Sequence, residues 1–339
     1  MKIQNLIKNL ALFTICAVLI LSNTAQGGAK SKVGTTVYPF LEIAAGARAA
    51  GVGEAYVARA TDVTGMYWNP AGIAEARNEI TFDNTQYFAN LNYNFFGLVA
   101  NMGTYGTFGL SLTNFNSGRI DVTTALRPDG NGNYYELSDV ALGLGYGKKL
   151  TDRFSIGGVA KYIHSSLYRM HTSAIAFDIG TLFKSPLFGL TIGMSVSNFG
   201  EEVRYDGANT IIRHDVDLMN SGNNDKILGN LRTNTWDLPL IFRFGVARSI
   251  NMNALGTINL SLDALHPNNN DESLNFGIEY GIRQAVFLRA GYKSFGLKDS
   301  QEGLTLGAGV VYRMLRFDYS YSDFGLLDNV QRYSFSVRF

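Results

Sequence analysis

Cysteine is almost missing from this chain: its 339 residues include one, Cys16. That residue sits in an apolar run near the start and is not preceded by small residues, so no lipid-anchoring signal is read there. The rest of the chain has neither a disulfide nor thiol chemistry to offer. The four histidines, His164, His171, His214 and His266, share no ligand-type spacing. With no thiols beside them, no metal site is expected. Charge is thin, at 17% of residues and a formal net of +1, and it gives no basic surplus to favour nucleic acid. After residue 27 no apolar run is long enough to cross a bilayer as a helix. A chain that meets lipid on those terms has to be a closed barrel, because only helices and barrels satisfy every backbone group in hydrocarbon.

Glycine is plentiful, at 37, as are tyrosine and phenylalanine, at 18 and 22. Glycine and aromatics with few charges suit a β-protein facing lipid. Residues 1–27 read as a cleaved signal peptide: Lys2 and Lys8, an apolar run over 10–21, then Ala25-Gln26-Gly27 as a small-x-small cleavage site. Loss of those two lysines takes the formal charge from +1 to −1.

Residues 28–77 form a separate segment without strand alternation. Its stretch 46–76 is rich in glycine and alanine and contains Asn69-Pro70-Ala71-Gly72. Asparagine followed by proline is a good helix start: the side chain caps free amides and proline is pre-set for the first helical position. A short helix is expected at 70–75, and another around 40–50. The segment reads as a plug inside a membrane barrel, or closing its mouth.

From residue 78 to 339 the period changes to two. Tyr333, Phe335, Val337 and Phe339 alternate with Arg332, Ser334, Ser336 and Arg338, and three more C-terminal segments repeat the pattern. Successive strand side chains face opposite sides. The spacing predicts about fourteen strands, near 78–84, 94–101, 105–115, 138–149, 153–164, 173–184, 187–199, 236–249, 255–265, 272–282, 285–294, 303–313, 314–323 and 331–339. Connections between them alternate strictly between tight and long. Outer-membrane barrels sort their loops this way, with short turns in the periplasm and longer loops outside. The expected fold is all-β: a transmembrane antiparallel barrel of about 14 strands with an N-terminal plug containing short helices. Lys161, Asp178, Arg243, Asp263, Glu279, Arg289, Arg316 and Asp318 lie on the polar faces and are expected to point inward and pair, since a charge facing lipid at bilayer depth costs a few kcal/mol.

Other motifs take bland readings. Gly51-Val52-Gly53 and Gly143-Leu144-Gly145-Tyr146-Gly147 lack the strand–loop–helix setting of nucleotide binding. Asp129-Gly130-Asn131-Gly132-Asn133 resembles the start of a calcium loop, but Tyr134 and Val140 stand where the turn glycine and bidentate glutamate belong. His164 and Ser166 share a strand face near a loop, which raises an outer-membrane hydrolase, though nothing supplies the orienting third group. No catalytic residue and no cofactor is expected. The longest connection, 200–235, and the loop 116–137 are the places to look for a partner.

Gly46, Arg48, Gly51 and Gly53 in GARAAGVGEA, then Asp62, then Asn69, Pro70, Ala71 and Gly72 in YWNPAG, resemble the N-terminal signature of the PorV/PorQ family, relatives of the FadL class of hydrophobic-substrate transporters. The resemblance implies residence in the outer membrane of a Gram-negative bacterium and a non-enzymatic part in type IX secretion. In that role the protein would bind the C-terminal domains of secreted cargo or the translocon. The alternative is a FadL-like channel for hydrophobic small molecules, with an apolar pocket beside the plug lined by Phe40, Ile43, Tyr67 and Trp68.

Overall fold

The computed structural model describes residues 32–214, 227–297 and 300–339. The signal peptide read at 1–27 lies outside them. Fourteen long strands follow one another: β1 (Glu79–Gln86), β2 (Asn92–Asn101), β3 (Thr107–Asn116), β4 (Leu137–Lys149), β5 (Phe154–Leu167), β6 (Met170–Lys184), β7 (Leu190–Gly200), β8 (Ile241–Asn251), β9 (Thr257–Pro267), β10 (Ser273–Ile282), β11 (Val286–Phe295), β12 (Leu304–Tyr312), β13 (Leu315–Asp323) and β14 (Asn329–Arg338). Each pairs antiparallel with its neighbours in sequence, and β1 pairs with β14, so the sheet is a closed barrel. The closing register sets Phe82 against Phe335 and Ile80 against Val337. Phe339 donates its backbone amide to Asn78 O at 3.0 Å. Among the described residues no helix is long and apolar enough to cross a membrane.

The period-two pattern becomes an inside and an outside. Phe82, Leu144, Ile179, Leu288, Phe317 and Phe335 are exposed on the outer face, and Glu79, Thr81, Asp83, Asp178, Glu279 and Arg289 are buried on the inner one. All eight interior charges expected from the sequence point inward; none of the acids or arginines among them is more than 6% exposed, and Lys161 pairs with the buried Asp178 at 2.8 Å.

Loop sorting is less strict than the sequence suggests. The long connections 117–136, 201–240 and 296–303 all lie at one end of the barrel, as expected. At that same end, however, β5 and β6 meet in a tight turn at 168–169. Residues 165–172, expected as a loop, continue the ladder, with Ser165 opposite Thr172 and Leu167 opposite Met170. Polar alternation there looks like a loop in sequence, yet the backbone keeps pairing beyond the apolar band. The strand expected from 236 begins at Ile241. Pro239 has no N–H to give a ladder, and its carbonyl instead accepts from Asn198 Nδ2 at 2.9 Å.

Most of residues 37–76 are buried, packed against the inner faces of the strands. Their start is tied to the long-loop end, where Val37 N donates to Asp237 O at 3.0 Å. Their finish is at the tight-turn end, where Glu75 meets Lys149 and Lys184 at 3.0 and 2.7 Å. The helix expected around 40–50 is two short pieces, the 3₁₀ turn Pro39–Glu42 and the α-turn Ala47–Gly51; the one expected at 70–75 is the 3₁₀ turn Pro70–Glu75, and a further α-turn, Gly65–Trp68, had no counterpart in the sequence reading. The wall makes room for them with glycine. A Cβ at Gly157 would fall on the Pro70 backbone, one at Gly180 on Asn69, one at Gly193 on Val57 and one at Gly277 on Val52. These contacts come from β5, β6, β7 and β10, so the segment is held from several sides.

Gly157→Val should therefore loosen the segment before it harms the wall. Overpacking of this kind costs about 1–3 kcal/mol. Limited proteolysis should cut within 33–77 sooner than in the wild type, while heat-modifiable migration on a gel still reports a folded barrel.

Candidate functional site

The inner segment is joined to the wall by charge. Glu279, fully buried on β10, accepts from Arg48 Nε and Nη2, each at 3.1 Å, and from Arg289 Nε at 2.7 Å; it also pairs with Arg59. Arg289 in turn pairs with Asp318 at 2.8 Å, and Asp318 with Arg316. The small-residue helix Ala47–Gly51 and the turn near Arg59 thus bring two cations to a carboxylate that lipid would not tolerate on the other face. Asp62 organises the segment itself. Its carboxylate accepts from Thr64 N at 3.1 Å, from the Tyr56 hydroxyl at 2.6 Å and from Arg48 at 3.3 Å. Asp263 on β9 holds the backbone amides of Tyr56 and Val57 at 2.7 and 2.8 Å.

Asn69 does more than cap. Its Oδ1 accepts from Ala71 N at 3.1 Å, the cap expected from Asn-Pro. Its Nδ2 donates to Val57 O and to Thr181 O on β6, both at 3.0 Å. Pro70 and Ala71 are buried beside it, and Gly72 passes so close to Ala60 O that a side chain has no place. Gly46 has φ +90° and Gly53 φ +66°, in the region that favours glycine. A Cβ on Gly51 would meet the backbone of Gly307 at 3.1 Å. The nine motif positions are thus fitted to the wall or hold the segment's own shape. At the tight-turn end, burial pushes the Glu75 carboxyl up, but hydrogen bonds from Lys184 and Lys149 outweigh it and hold the group below its usual range.

Phe40, Ile43 and Tyr67 belong to one apolar cluster, and among the cavities lined by described residues the four residues read as one pocket are divided. Phe40 and Tyr67 line a void of about 20 Å³, Ile43 a cleft of about 290 Å³, and Tyr67 with Trp68 a polar cavity of about 180 Å³. Trp68 is buried, donating Nε1 to Ala45 O at 2.9 Å, with the Arg243 guanidinium 5.6 Å from its ring. The cleft opens at the long-loop end. Ile43 and Pro39 form one wall, and Tyr87, Phe88, Phe324 and Leu327 from two short loops form the other. Sequence reasoning missed these four, although Tyr87-Phe88 and the Phe324-Gly325-Leu326-Leu327 run are apolar clusters where polar loop residues would be usual. Beneath them Lys293 pairs with Glu54 at 2.8 Å and Glu302 at 2.7 Å. Glu42 also lines the cleft; burial raises its carboxyl above the ordinary range despite a hydrogen bond from Asn269.

On the terminal strand Phe335 and Phe339 are exposed, and Tyr333 and Val337 half-exposed. His164 Nδ1 lies 2.9 Å from Ser173 Oγ, not Ser166; in the ladder Ser166 faces His171.

Glu279→Gln should destabilise the fold strongly. It leaves Arg48, Arg59 and Arg289 without their common counter-charge, and breaking a buried pair costs about 3–5 kcal/mol. Denaturant unfolding from lipid vesicles should show the loss, while Glu272→Gln, at an exposed site, changes little.

The profile of the type IX secretion system protein PorV matches residues 26–266. No curated protein matches the sequence. Among solved structures, the CymD monoaromatic hydrocarbon channel superposes with a TM-score of 0.53 at 12% identity, over 82% of this chain and 93% of that one. The TodX deltaS2S3 mutant monoaromatic hydrocarbon channel gives 0.51 at 11% identity, over 81% and 94%. A FadL homologue from Pseudomonas aeruginosa gives 0.48 at 13% identity, over 85% and 95%. At such identities the first two speak for the fold alone: a closed barrel like those of the monoaromatic hydrocarbon channels. The matched profile covers well over half of the chain, and this protein belongs to the PorV family, as a barrel of the Gram-negative outer membrane.

Proposed function

We propose that this protein is a non-enzymatic component of type IX-like protein secretion and surface attachment. Its extracellular end, where the long loops gather, holds the C-terminal domain of secreted cargo or the translocon that releases it. Residues 33–77 serve as a plug. The observation that carries this reading is the family match over residues 26–266. The filled lumen supports it: a protein whose interior is occupied by its own segment has its loops, not a pore, to offer a large partner.

A second reading is a channel that takes up hydrophobic small molecules such as fatty acids or aromatic hydrocarbons. Its support is the barrel shared with the CymD monoaromatic hydrocarbon channel. It needs an apolar path beside the plug, and the division of Phe40, Ile43, Tyr67 and Trp68 among three cavities weighs against it.

Deletion of the gene in its native cells should leave cargo in the periplasm and strip it from the surface, as measured by immunoblots of periplasm, surface and medium. Normal secretion with intact attachment overturns the reading. The rival expects fatty acid to change Trp68 fluorescence in the purified protein.

A further inference from the structure

The mouth cleft combines three properties. It is apolar and aromatic on its walls: Tyr87 and Phe324 pack edge-on with centroids 5.9 Å apart, and Phe88 joins Tyr87 at 5.7 Å. It is open at the rim, where Leu327 is 46% exposed and Leu326 92%. And it carries acid: Glu302 lines it, Asp328 follows Leu327 in the loop 324–328, and Asp271 lines the neighbouring cavity that shares Glu42 and Glu302 with it. Glu42 adds a carboxylate from the inner segment.

The one cation within the cleft, Lys293, is already committed. Its ammonium serves Glu54 and Glu302 and lies 5.3 Å from the Phe324 ring centroid. Tyr87 carries the Arg332 guanidinium 5.7 Å from its own ring centroid. Tyr87 and Phe324 thus already face cations of the protein, and Glu42, Asp271 and Asp328 add carboxylates to the two that Lys293 meets. An apolar stem in the cleft with a positive head among rim carboxylates satisfies both features. Aromatic faces and carboxylates are the two surfaces that a guanidinium or ammonium group prefers, and long basic side chains bury their stems while the head stays among polar groups.

We propose that this cleft is the anchoring subsite for the secreted partner, and that it takes a lysine or arginine side chain from the surface of that partner's C-terminal domain. The proposal rests on the secretion reading above. The stem packs on Ile43, Phe88 and Leu327, and the head pairs with Glu42 and the acids of the rim. Since the rim charges are exposed, they act mainly on association rate and salt dependence.

The test uses the full-length protein in detergent and the purified C-terminal domain of a protein secreted by the same cells, with binding followed by biolayer interferometry at low and high salt. Leu327→Arg places a competing cation on the rim without touching the buried network. Leu187→Arg, at a 68% exposed position in the tight turn between β6 and β7 at the opposite end of the barrel, adds the same charge elsewhere. The expected result is that Leu327→Arg weakens binding about tenfold at low salt and flattens its salt dependence, that Leu187→Arg leaves both unchanged, and that all three proteins melt alike. Equal binding by the wild type and Leu327→Arg overturns the subsite and leaves the secretion reading standing. Failure of the wild type to bind any such domain, in cells where deletion of its gene blocks secretion, also overturns the subsite. The same failure in cells that secrete normally removes both.

Discussion

A charge buried on the inner face of this barrel needs a partner from the protein, and the protein's organisation follows from that. Glu279 sits on the inner face of β10, fully buried. Left alone there, a carboxylate would be driven to neutrality or would unfold its surroundings. Arg289 on β11 is one partner; Arg48 and Arg59, from a segment more than two hundred residues away in sequence, are the others. Wall and inner segment therefore complete one electrostatic unit. Neither half is satisfied without the other, and this gives the enclosed segment a definite register rather than a loose fit.

Shape works to the same end. The inner face carries glycine where the segment's backbone passes, at Gly157 under Pro70 and Gly180 under Asn69. Interiors are close-packed, so a methyl group in such a place has to displace something. Asn69 closes the arrangement by bonding both its own turn and the carbonyl of Thr181 on the wall. The segment has little regular structure, which is acceptable only because strands enclose it and its amides find partners such as Asp263, Thr305 and Ser334.

Much of this was legible in the sequence, for a physical reason: a strand in lipid must alternate, and a charge must face inward. The apolar series Phe335-Val337 and the buried series Ser334-Ser336 could be assigned from period alone, and the interior acids and arginines followed. The Asn69 cap was legible because capping is local. What escaped was everything set by distant pairing. Ser165 to Thr172 continue a ladder that polar residues do not announce. Of the four residues grouped as a pocket, Phe40, Ile43 and Tyr67 pack in one apolar cluster and Tyr67 meets Trp68 with ring centroids 4.9 Å apart, but which cavity each one lines depends on strands far away in sequence. The mouth cleft draws on Ile43, Tyr87, Lys293, Glu302 and Phe324, five positions that no window of sequence contains.

The same geometry joins the inner segment to the mouth. The segment begins at the long-loop end, where Asn269 Nδ2 holds Thr36 at 2.9 Å and Glu42 at 3.1 Å. Its first turn, Pro39–Glu42, is one wall of the cleft, and Glu54 within it fixes the lysine beneath. A surface that recognises a partner must be rigid enough to keep its shape on binding. Short loops such as 87–91 and 324–328 do not hold an aromatic cluster in place unaided. Here they rest on a segment anchored at Glu279 in the middle of the barrel and at Glu75 at its far end. The inner segment thus touches the cleft at one end, Glu279 along its course and the tight turns at the other end.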